Sequence, residues 1–70
     1  MKSKFDKLVD AHCVEGLRVF GEKRWNQANI GWFQDNDCIQ SKVYGNPCVI
    51  LVSEMDKKGK ITHKQESYGH

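Results

Sequence analysis

Phe5, Leu8, Val9, His12, Cys13, Gly16, Leu17 and Phe20 recur at spacings of three and four, which lines them along one face of a helix over residues 3–20. Ser3 is placed to cap the first amides, with Asp6 as the far half of a shortened capping box. Gly21 follows the last periodic residue, where a left-handed C-cap suits glycine. Gly16 lies inside the helix at a cost of ~1 kcal/mol against alanine, so a close neighbour is predicted there.

From residue 30 the period falls from near four to two. Residues 30–34 read as a strand, Asp35-Asn36-Asp37 as its turn, and 38–44 as an alternating strand that Gly45-Asn46-Pro47 breaks. Residues 48–55 form the strongest strand and 61–68 return beside it. Between the helix and the first strand, 22–29 read as irregular structure with one helical turn. Asp56-Lys57-Lys58-Gly59-Lys60 fits a type I turn closed by a glycine bulge, with Gly59 left-handed. That turn sets Met55 opposite Ile61, Ser53 opposite His63 and Leu51 opposite Gln65. The shared face carries Val49, Leu51, Met55 and Ile61 and belongs under the helix. The fold class is therefore α+β: one N-terminal helix on an antiparallel meander of three to four strands, two layers in a single domain, 1–70.

The stretch RWNQANIGWF, residues 24–33, holds both tryptophans. Strand alternation directs Trp32 to the core. Trp25, flanked by Lys23, Arg24 and Asn26, reads as a surface ring.

Composition narrows the function classes. Charged residues are 29% and hydrophobic ones 39%, a globular balance. The net charge of +2, from 11 basic and 9 acidic residues, is too even to announce nucleic acid and excludes an acidic DNA mimic. Three cysteines are an odd number, which argues against a complete disulfide framework and for a reducing, cytoplasmic setting. The mixed charges at the N-terminus do not read as a signal peptide, and the apolar run at 48–52 is too short to span a bilayer. No membrane role is expected. The opening Met fits a complete small gene product, and the size suits a phage or mobile element.

Candidate chemistry is thin. Cys13, Cys38 and Cys48 lie 25 and 10 residues apart, without the close pairs of a structural zinc site, so no metal or other cofactor is expected. A cysteine nucleophile with His12 or His63 as base lacks a glycine-rich elbow or an oxyanion loop. An enzyme is not expected. Lys57, Lys58, Lys60 and Lys64 gather on the last hairpin, and Lys23-Arg24-Trp25 adds a basic spot with a ring for stacking. Together they form a nucleic-acid-binding alternative.

The favoured expectation is a protein-interaction module, an inhibitor or regulator that occludes a partner protein and forms a homodimer. Strand 48–55 is apolar on both sides, and one helix can cover only one of them. Ile50 and Val52 then need a lid, and a second copy is favoured over 22–29, whose only apolar residues are Trp25 and Ala28. With Lys23, Arg24 and Trp25 they make up the expected partner-binding set.

Overall fold

The computed structural model describes residues 3–33 and 37–68, and the side chains of all of these except Trp32, Phe33 and Tyr68. The expected burial of Trp32, and the Asp35 and Asn36 part of the first turn, lie outside the described residues.

Helix α1 spans Lys4–Phe20 and opens as its sequence predicts. Ser3 Oγ accepts from the Asp6 amide at 3.1 Å, and the Asp6 carboxylate accepts from the Ser3 amide at 3.4 Å. At the other end Gly21 takes φ 84° and donates its amide to the Leu17 carbonyl. A single helical turn follows, α2 at Glu22–Trp25. Strands β1 (Asn29–Phe33), β2 (Cys38–Val43), β3 (Cys48–Met55) and β4 (Ile61–Tyr68) complete one antiparallel sheet in the order β1-β2-β3-β4. The expected α+β architecture is present: one helix layer packed on a four-stranded meander.

The hairpin of β3 and β4 has the register its turn dictates, with Met55, Ser53 and Leu51 opposite Ile61, His63 and Gln65. Gly59 has φ 86° and donates to the Asp56 carbonyl, while the Asp56 amide donates to Lys60. The Asp56 carboxylate accepts from the amides of Lys58 and Lys60, tying off the tip.

Two apolar clusters lie between the layers. Leu8, Ile39 and Met55 form one, flanked by Phe5, Val9, Ile30 and Ile61. Trp25, Val43 and Leu51 form the other, flanked by Cys13, Phe20 and Ala28. Trp25 is thus a core ring and not a surface ring. Its polar neighbours misled because residues adjacent on a helical turn point ~100° apart. The close neighbour predicted for Gly16 is this same ring, since a Cβ there would come within 2.4 Å of the indole. Leu17, placed on the core face by spacing, is 43% exposed, because it lies ~140° round the helix from His12.

Candidate functional site

The seam between the two clusters is polar. His12, Ser41 and Ser53 are essentially fully buried. His12 Nε2 lies 2.6 Å from Ser41 Oγ, and its Nδ1 lies 2.6 Å from Ser53 Oγ. Ser53 Oγ is in turn 2.6 Å from Nδ1 of His63, which is exposed on β4. One ordering gives each of these protons an acceptor: Ser41 donates to His12, His12 Nδ1–H to Ser53, and Ser53 to His63. Among the described residues no buried side-chain nitrogen or oxygen lacks a partner. Burial, and secondarily the neighbouring His63, pull the His12 pKa down to about 4.

A serine bonded to a histidine is the raw material of a nucleophile and its base, but access decides its use. Ser41 and Ser53 have no exposed surface, so a substrate carbonyl has no route to either hydroxyl. The neutral imidazole acts as a strut joining α1, β2 and β3. Sequence spacing placed His12 on the core face and Ser53 opposite His63; it did not join them, because Ser41 enters from a third element. Cys13 and Cys38 offer no activated nucleophile. Burial and Asp10 push Cys13 up, and burial and Glu54 push Cys38 up. Among the described residues no group of three or more His, Cys, Asp or Glu side chains is arranged to hold a metal ion.

The expected binding residues are spread over three places. Lys57, Lys58 and Lys60 are exposed at the hairpin tip, whereas Lys64 points from the middle of β4 and pairs with Glu54 at 3.3 Å. Lys23, Arg24 and Trp25 sit at the opposite end of β3, ~23 Å of strand away. There Arg24 lies over the Phe20 ring at 5.3 Å and donates to the carbonyls of Tyr44 and Pro47. It fastens the β2–β3 connection with two of its five N–H donors. The groove beside it, about 580 Å³, is wide open and has Lys23 on its lining. With Trp25 buried, the two basic spots do not form one stacking surface for a nucleic acid.

Ile50 and Val52 lie on the sheet face away from α1. Trp25 of α2 packs on the inner side with Val43 and Leu51, so the short helix is no lid for them. Both residues are half-buried. In register Ile50 stands between Lys42 and Glu66, and Val52 between Gln40 and Lys64. Long aliphatic stems at those positions shade the apolar pair while their polar heads stay wet. Tyr44, 43% exposed, follows Lys42 on the same side. Its hydroxyl accepts from Asn29 Nδ2 at 2.7 Å, and the Lys42 ammonium lies 5.7 Å from its ring centroid. Sequence reasoning passed over Tyr44 because it falls at the strand's end, beside the Gly45-Asn46-Pro47 break. The resulting patch has an apolar centre, a fixed aromatic and a polar rim.

Comparison with protein-family models, with curated proteins and with solved structures returned no match. Among the described residues no helix is long and apolar enough to cross a membrane.

Proposed function

We propose that the chain is a protein-interaction module, an inhibitor or regulator that occludes a partner protein with the open face of its sheet. The observation that carries this reading is the apolar pair Ile50 and Val52 flanked by Lys42, Glu66, Gln40 and Lys64, with Tyr44 fixed by Asn29 beyond Lys42 on the same side of the sheet. Exposed tyrosines in fixed rotamers are good anchors, because little side-chain freedom remains to be lost on binding. A small apolar centre with a polar rim is the usual anatomy of a non-obligate interface. The cysteines Cys13, Cys38 and Cys48 are all free, which fits work in the reducing cytoplasm. A homodimer is part of the same proposal, with the open face kept for a different protein.

The test is affinity capture from the cell of origin with native protein, Ile50→Asp and Tyr44→Ala, with and without nuclease. A captured protein that survives nuclease and is lost with both variants supports the reading. Tyr44→Ala should stay within ~1 kcal/mol of native in urea unfolding, whereas Ile50→Asp sets a carboxylate opposite Glu66 and is compared only at temperatures where circular dichroism shows it folded. Retention of the same protein by both variants would reject the open face. The second reading rests on Lys57, Lys58 and Lys60, which have no acidic partner among the described residues. Capture that disappears with nuclease and in a variant carrying Gln at all three positions would favour it.

A further inference from the structure

We propose that the free edge of β4 is where a second copy of this chain adds, antiparallel and centred on Gln65, to make one continuous eight-stranded sheet. This rests on the homodimer reading above and gives it a surface separate from the open face.

Among the described residues, no strand pairs with the outer side of β4 along its eight residues, Ile61–Tyr68. Which amides point outward follows from the turn. The Asp56 amide donates to Lys60, so that pair is hydrogen-bonded, and by alternation so are Glu54 with Thr62, Val52 with Lys64 and Ile50 with Glu66. The even positions of β4 therefore turn their amides toward β3. His63, Gln65 and Ser67 turn theirs to the open edge, and an unpaired row of this kind is a template for another strand.

A two-fold axis normal to the sheet keeps each residue on its own face, so only like-parity positions can meet. Of the centres this allows, Lys64 sets lysine against lysine and Glu66 sets glutamate against glutamate, both unfavourable directly across strands. Centring on His63 or Ser67 shortens the overlap. With Gln65 at the axis, Lys64 of each copy meets Glu66 of the other, twice by symmetry. Gln65 then pairs with its own copy, and His63 pairs with Ser67, through the outward amides. Within its own chain Glu66 stands opposite Ile50, with no cation across from it. The second copy supplies one, its exposed Lys64 being shared between its own Glu54 and this Glu66.

The helix layer leaves room for this arrangement. Helix α1 packs over β2, β3 and β4. Adding a copy at β4 separates the two β3 strands, and so the two helices above them, by three strand spacings, or ~14 Å. Packed helices approach to ~8–10 Å, so the two would not collide.

Charge reversal tests the pairing. Light scattering should show native protein self-associating as a dimer below ~0.5 mM. Lys64→Glu and Glu66→Lys should each weaken the dimer by ~10- to 100-fold, because both symmetric ion pairs turn repulsive. The double variant, and an equimolar mixture of the two single variants, should recover it. Ile50→Asp should leave it intact. Amide exchange of His63, Gln65 and Ser67 should slow as concentration rises. A native monomer at ~0.5 mM would overturn the proposal. A dimer indifferent to both reversals but lost in Ile50→Asp would overturn it too, and would seat the second copy on the open face. If the dimer behaves as predicted while capture of another protein fails, only the open-face reading falls.

Discussion

On the helix side of β3, Ser53 has no exposed surface and shares the interior with Ser41 and His12, while on the other side Ile50 and Val52 are only half-buried. At Ser53 the usual placement of polar and apolar residues is reversed, although Val49, Leu51 and Met55 keep the rest of that side apolar. The comparison teaches that side is assigned by parity, which the Asp56–Lys60 turn fixes, and by where the helix packs. Chemistry then has to be accommodated on the side assigned. Ser53 is tolerated inside because His12 reaches both serines. Ile50 and Val52 are tolerated outside because Lys42, Gln40, Lys64 and Glu66 flank them.

The sharpest way to break the comparison is to remove the residue that makes the inner side work. His12→Ala leaves the buried Ser41 hydroxyl without its partner and Ser53 with His63 alone, beside a new cavity, and should cost about 3–5 kcal/mol in urea unfolding. Combining His12→Leu with Ser41→Ala and Ser53→Ala should recover more than half of that, since removing all polar partners together orphans none. Failure of the triple variant to recover would mean that the seam's shape, and not its hydrogen bonding, is what matters.

Acid probes the same residue without mutation. Folded His12 titrates at about 4 against an ordinary value of 6.5, so between those values the unfolded chain holds more protons than the folded one. Its contribution is fully present above pH 6.5 and is lost as pH falls toward 4, a loss of about 3 kcal/mol. The triple variant should lack this slope in denaturant melts taken across the window.

Gly16→Ala sharpens the contrast on the helix itself. On an exposed helix face the change would gain ~1 kcal/mol. Here the added methyl meets the indole of Trp25, and a loss of about 1–3 kcal/mol is expected instead. Gly59→Val, the smallest effect at about 1–2 kcal/mol, strains the turn that assigns parity. An unchanged urea midpoint would show that the sides of β3 are set by something other than this turn.

The helix, its caps, the hairpin register and the inner set of Val49, Leu51, Met55 and Ile61 were legible because each follows from local spacing or a glycine's backbone demand. Trp25 was not, because its burial depends on Gly16 nine residues earlier, and a missing side chain does not name what fills its space. The seam was half legible. His12 and Ser53 were on the correct sides, but no local pattern links residues 41 apart in sequence. The open face was read from Ile50 and Val52, whereas its best anchor, Tyr44, takes its orientation from Asn29 on another strand.

The polar seam also decides how the helix can be seated. The clusters on either side are greasy and forgiving, and either would accept a leucine or a phenylalanine brought in by sliding α1 one turn, ~5 Å along its axis. Such a slide would press Leu8 or the bare backbone of Gly16 against Ser41 and Ser53 and drive the imidazole into hydrocarbon. Neither error can be absorbed by repacking, because a hydroxyl in a sealed interior accepts only a partner with matching geometry. Two serines and a histidine thus serve as an index mark. They give a helix that would otherwise rest on an oily surface a single notch in which to stop.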